Sequence, residues 1–158
     1  MADPHELALR RAIQLAELAR QHGNHPFGSI VTNAAGDIVL EAENTVVTGH
    51  DLAGHPEIKV ATLAAAKFDA ASLAGCTLYA STEPCPMCSG AIYWSGIGRV
   101  VFAFSQRSLN QIVQHLPTQT YLSLSCREVF ARGNRPIEVI GPLLEEEARY
   151  VHLGFWDR

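Results

Sequence analysis

An α/β fold, with three layers α/β/α built on a five-stranded mixed sheet, follows from three features of this 158-residue sequence. Stretches of helical period alternate with short apolar runs rich in valine, isoleucine and phenylalanine, the pattern of strands buried between helices. Two such runs, 28–33 and 37–42, are separated only by Ala34-Ala35-Gly36, a spacing that joins antiparallel strands. Later runs at 76–81, 99–104 and 136–140 each come after a helical stretch, which implies crossover connections and parallel pairing. With 47% hydrophobic residues, the chain can bury the core of one domain spanning 1–158.

Taken in order, Pro4 to about His22 carries Leu7, Ala8, Ile13, Leu15, Ala16, Leu18 and Ala19 at mixed three- and four-residue steps. Arg10, Arg11, Glu17 and Arg20 lie between them, so an amphipathic helix is predicted, closed near Gly23. The hairpin follows. His55 to Asp69 is rich in alanine (Ala61, Ala64, Ala65, Ala66), a strong helix former that packs closely. A strand from Cys76 to Ser81 then leads into a second helix from Cys85 to Ser95, stopped at Gly96, and a buried strand from Arg99 to Phe104. Beyond Ser105 the pattern weakens. Leu109 to Leu116 reads as a short helix or a loop, Cys126 to Arg132 as a helix, and Pro136 to Ile140 as a strand after a Gly133-Asn134 turn. Pro142 to His152 reads as a helix opened by proline and acidic residues.

Two segments concentrate the chemistry. Cys85 and Cys88 stand at C-x-x-C spacing, and His55 lies thirty residues upstream. Two thiolates and an imidazole suit Zn²⁺ and leave one tetrahedral position open to water. Glu57, two residues after His55, suits a proton-carrying role better than ligation. Both segments place the first ligand just before a proline, His55-Pro56 and Cys85-Pro86, and proline favours the first turn of a helix. His55 and Cys85 are therefore expected at helix N-caps, where the partial positive charge favours thiolate. A purely structural zinc module would need a fourth ligand, and no third cysteine or second histidine stands at convincing spacing. Cys76 and Cys126 read as small core residues.

His55-Pro56-Glu57 with Pro84-Cys85-Pro86-Met87-Cys88 resembles the H-x-E and P-C-x-x-C signature of zinc-dependent nucleobase deaminases. From His25-Pro26-Phe27-Gly28 through Asn44 to Arg99-Val100-Val101-Phe102 the chain resembles the cytidine and deoxycytidylate deaminase superfamily. Glu83 to Cys88 followed by Gly90-Ala91-Ile92-Tyr93-Trp94 is similar to guanine deaminases, and Ile97-Gly98-Arg99-Val100-Val101-Phe102 to tRNA adenosine deaminases. The resemblance implies a cytidine deaminase-like fold, bound zinc, and hydrolytic release of ammonia from a small aminated heterocycle. Guanine-type substrates come first, with cytosine- or aminotriazine-type bases and tRNA adenosine as alternatives. It also implies that Asn44 contacts substrate, that the backbone of Thr82 and Glu83 contacts the substrate or the metal-bound oxygen, and that subunits pair as a homodimer through helices beside the zinc site. One departure stands out: after Phe104, where an acidic purine-reading residue is expected, the chain has Ser105-Gln106-Arg107-Ser108.

Phe27 and Trp94 are further candidates to stack on a flat base. The end of the chain, Leu153-Gly154-Phe155-Trp156-Asp157, carries two aromatics and an acid. It is expected to fold over the site of its own subunit or a neighbour's, with Phe155 or Trp156 on the base and Asp157 accepting hydrogen bonds from it; the alternative is that these aromatics dock the last helix. The net charge of -4 and the acidic run Glu145-Glu146-Glu147 argue against a nucleic-acid partner, which is gripped by basic surfaces. No apolar run approaches about 18 residues and the start lacks a basic-then-apolar leader, so neither a membrane span nor a signal peptide is expected and cytoplasmic residence is.

Overall fold

Asp3 opens the first helix, α1 (Pro4–Gln21), by accepting a hydrogen bond from the His5 N–H at 2.9 Å, with Pro4 needing no such partner. The structure, a computed structural model, describes residues 1–157. Strands β1 (Gly28–Thr32) and β2 (Ile38–Glu43) form the expected antiparallel hairpin, its turn held by Asn33, whose side-chain oxygen accepts from the Ala35 and Asp37 N–H groups. Then come α2 (Pro56–Lys67), a short helix α3 (Ala70–Ala74), β3 (Thr77–Thr82), α4 (Pro86–Ser95) and β4 (Arg99–Phe104). The chain continues through α5 (Gln106–Val113), α6 (Cys126–Ala131), β5 (Glu138–Ile140), α7 (Glu145–Arg149) and a 3-10 turn at Tyr150–His152.

The sheet has the order β2-β1-β3-β4-β5, antiparallel across β2, β1 and β3 and parallel across β3, β4 and β5. Side-chain alternation divides the core. Val31, Leu78, Ala80, Val100 and Phe102 pack with Val60, Ala64 and Ile92 of α2 and α4, whereas Ile30, Tyr79, Val101 and Ala103 pack with Leu9 and Leu15 of α1 and Ala148 of α7. The mixed sheet with helices on both sides is thus the predicted architecture. α1 approaches β1 so closely that a Cβ at Gly28 would lie 2.3 Å from the Ala12 carbonyl oxygen, so glycine is required there.

The C-terminal third departs from the expected boundaries. Helix α5 begins at Gln106, three residues before the expected start, because Ser105 caps it by accepting from the Ser108 N–H. Helix α7 begins at Glu145 and not at Pro142: after β5 the chain stays tied to β4, with the Leu143 N–H bonded to the Phe102 carbonyl, and Leu144 takes a left-handed conformation before the helix starts. Pro136, which has no N–H to offer, lies outside β5, whose pairing begins with the Glu138 N–H to Gly98. Among the described residues no helix is long and apolar enough to cross a membrane.

Candidate active site

The two ligand segments arrive as N-termini of α2 and α4. His55 is the N-cap of α2 and Cys85 the N-cap of α4, each followed by its proline. The Cys88 N–H points back at Cys85 Sγ at 3.5 Å, and the Ser89 N–H closes the first turn on the Cys85 carbonyl at 2.8 Å. Cys88, one turn on, faces the same point from the buried side of α4. Helix α4 ends at Gly96 in the left-handed conformation (φ 94°), the geometry the sequence position demands.

His55 Nδ1 lies 3.6 Å from Cys85 Sγ and 3.3 Å from Cys88 Sγ, and the three ligand atoms fall within 4.8 Å of one another. A tetrahedral zinc with ordinary Zn–N and Zn–S lengths spaces such atoms by about 3.6 Å, so the triangle fits that ion. Glu57 sits beside it, buried, with Oε2 3.4 Å from Cys88 Sγ. Burial pushes its carboxyl up to about 7, close to the value that suits a group exchanging protons near neutrality. The hydrogen bond from Cys88 holds the Cys85 thiol down at about 4, against its burial, and that same bond together with burial pushes Cys88 up. A cation in the triangle would reverse the Cys88 direction, since coordination deprotonates a thiol. His55 is raised chiefly by its hydrogen bond to Cys85.

His55, Cys85 and Glu57 line a cleft of about 630 Å³, together with the touching rings of His25, Phe27 and Trp156 and with Leu109, Tyr121 and Leu122. A separate hollow of about 450 Å³, lined by Glu17, Arg20, Glu147 and Tyr150, lies away from the ligand triangle. The Cytidine and deoxycytidylate deaminase zinc-binding region, as a family model, matches residues 2–104, the stretch that carries all three ligands and Glu57. The chain belongs to this family of deaminases.

The deaminase is 41% identical over 150 residues to a probable cytosine deaminase of Schizosaccharomyces pombe, covering 94% of this chain and 90% of the relative. It is 40% identical over 100 residues to the guanine deaminase of Bacillus subtilis, covering 63% of this chain and 64% of that one. Among solved structures, a guanine deaminase from Nitrosomonas europaea superposes with a TM-score of 0.74 at 28% identity, covering 96% of this chain and 83% of that chain.

The cleft gathers some of the residues singled out from the sequence of this deaminase and leaves others aside. His55, Cys85, Glu57, Phe27 and Trp156 line it, and Cys88 stands immediately behind. Trp94 does not line it: the indole is 84% exposed and packs edge-on against Tyr93. The reason is the length of α4, whose first turn is at the site, so that Trp94 lies seven residues and about 10 Å of helix beyond Met87 at the cleft mouth. Asp157 is exposed and outside the cleft lining, and Phe155 packs against His25 and under Arg20. Asn44 is fully buried; its Oδ1 accepts from the Val46 N–H, and its Nδ2 is the one buried side-chain polar atom without a partner among the described residues. Lys59 holds this loop by donating to the Glu43 carbonyl at 3.0 Å and to the Thr45 hydroxyl.

Several residues of the site escaped the sequence reading. His25 lines the cleft, its ring against those of Phe27 and Trp156. Glu83 accepts from the Gln106 N–H at 3.1 Å and the Cys126 N–H at 2.9 Å, so one carboxylate holds the first turns of α5 and α6 to the end of β3. His152 is buried, stacked on Phe104, and receives the Trp156 indole N–H. The only sequence signal for these pairings was the unusual aromatic content of the terminus.

Proposed function

We propose that the protein is a zinc-dependent hydrolase that releases ammonia from a free aminated nucleobase, with guanine-type bases as first candidates. The observation that carries this is the lining of the cleft: flat rings of Phe27, His25 and Trp156 beside the ligand triangle and Glu57, and no lysine or arginine among the described lining residues. Flat rings suit a flat heterocycle. A nucleotide or a tRNA hairpin brings phosphates that want cationic partners, and a net charge of -4 disfavours their approach.

His55, Cys85 and Cys88 would hold the zinc, which when bound supplies a Lewis acid and makes water a nucleophile near neutral pH. Glu57, buried and able to exchange its proton near pH 7, accepts a proton from the attacking water. It passes that proton to the ring nitrogen next to the attacked carbon and then carries the remaining proton of the added hydroxyl to the departing amine, so that water and aminated base give oxo base and ammonia. The unpaired Nδ2 of Asn44 is consistent with a substrate role for that residue, although its buried side chain does not line the cleft. Trp156 supports closure of the C-terminal segment beside the base; the position of Asp157 gives no support to a contact from that carboxylate.

Guanine is supported by the structural relatives, one of which is a complex with 8-azaguanine at a TM-score of 0.75 and 28% identity. Cytosine is the second reading, because the relative matched over 94% of this chain is named for it. Ammonia release measured with guanine, cytosine, adenine, their nucleosides, aminotriazines and a tRNA hairpin tests the proposal. Turnover of a free base is expected, and turnover of the hairpin with no free base accepted would overturn it.

A further inference from the structure

Trp156, His152 and Thr82 form a chain of hydrogen bonds that ends in the cleft, and the chemistry of its first member fixes the direction of the others. An indole nitrogen only donates. Trp156 Nε1 lies 3.1 Å from His152 Nδ1, so Nδ1 accepts and carries no hydrogen. His152 is 1% exposed, and burial, helped by the charges of Arg20 and Arg149, pushes it down to about 3. The ring is therefore neutral and its one hydrogen sits on Nε2. Nε2 in turn lies 3.1 Å from Thr82 Oγ1, which must accept.

The hydrogen of the Thr82 hydroxyl is left over. It bonds to no protein group among the described residues, and Thr82 lines the cleft three residues before Cys85. A threonine hydroxyl ordinarily rotates to donate or accept as its partner requires. Here one lone pair is taken by His152, and the ring that takes it is clamped, stacked on Phe104 at 4.8 Å and lying 16° from the plane of Trp156.

We propose that Thr82 is a specificity-determining residue: its hydroxyl, oriented by His152 and Trp156, donates a hydrogen bond to the ring carbonyl oxygen of the bound base. The proposal rests on the nucleobase reading above and narrows it to amino-oxo heterocycles, those carrying both the amine to be released and a ring carbonyl. A base with an amine alone, such as adenine, places no carbonyl oxygen opposite the Thr82 donor and is disfavoured. His152 and Trp156 act through Thr82 and are positioning residues.

The test compares substrates that differ only in the carbonyl: guanine with 2-aminopurine, and cytosine with 4-aminopyrimidine. Thr82→Val removes the hydroxyl at nearly constant volume. It is expected to lower kcat/KM for the carbonyl-bearing member of the accepted pair about 10- to 100-fold while changing the other member less than about threefold. Thr82→Ser restores the donor and is expected to restore the preference, which separates loss of the hydroxyl from loss of fold. Nitrogen NMR of the His152 ring reads the hydrogen-bond chain without any substrate: the Nε2–H tautomer is expected in the wild type, and Trp156→Phe is expected to relax it and to weaken the carbonyl preference. Equal losses on both members of the pair, or an Nδ1–H tautomer in the wild type, would overturn the proposal. If the wild type turned over no base, the functional reading would fail and the carbonyl contact with it, while the tautomer would still show whether Thr82 is held as a donor.

Discussion

Glu57 and the three ligand residues divide the work by chemistry. The sulfurs and the imidazole are soft or borderline donors already spaced for a small tetrahedral cation. The carboxylate lies close by, buried and pushed up to about 7. Removing a donor and removing the proton carrier should therefore have different signatures. Cys88→Ala is expected to lose the metal, read by metal analysis of the purified protein; a stoichiometry that stays near one would remove Cys88 from the ligand set. Glu57→Gln keeps the volume and the metal but cannot carry protons, and kcat is expected to fall by at least about 10²-fold. Metal lost from Glu57→Gln would instead make the glutamate a ligand.

Helix ends explain both what sequence reading reaches in this protein and where it stops. The signals around the site are local: a proline after each first ligand, a one-turn gap between the two cysteines, and a glycine where α4 must stop. They make α2, α4 and the ligand triangle legible from the residues alone. The cleft walls depend on contacts between distant segments, and no local pattern encodes that Glu83 would hold the first turns of α5 and α6 or that Trp156 would bond His152. The start of α7 differs from the expected one because Pro142 and the acidic run look like a first turn, while the Leu143 N–H is committed to the Phe102 carbonyl of β4. The docked C-terminal segment carries its own prediction. His152 titrates near 3 when folded and at its ordinary 6.5 when unfolded, so between these values the unfolded chain binds a proton that the folded chain refuses. Stability contributed by this residue is complete above about pH 6.5 and is lost as pH falls towards 3. Urea unfolding at pH 7.5 and pH 5 should show a drop that His152→Gln reduces; an unchanged slope in the variant would mean that other groups govern the acid sensitivity. Truncation after Leu153 removes Trp156 from the cleft wall and is expected to raise KM for the accepted base severalfold or more, whereas undiminished kcat/KM would take the segment out of substrate binding.

At the scale of the whole molecule, both faces of the sheet are covered by helices, yet a large apolar side chain remains in the open on α4. Trp94 is 84% exposed, and Met87, seven residues earlier on the same helical stripe, is 41% exposed. Between them a Cβ added at Gly90 would meet nothing within 4 Å, so the stripe is a shallow path with a tryptophan at its end. An aromatic anchor beside small residues is the composition of an interface centre, not of a solvated helix face. The partner expected on this surface is a second copy of the chain. Such a contact would also brace the helix that carries Cys85 and Cys88, tying the geometry of the ligand triangle to assembly. Light scattering at micromolar concentration is expected to give a homodimer, and Trp94→Glu, which places a charge at the centre of the contact, is expected to give a monomer with reduced metal retention. A monomeric wild type would leave the exposed tryptophan without this explanation, and a Trp94→Glu dimer would move the interface elsewhere on the surface.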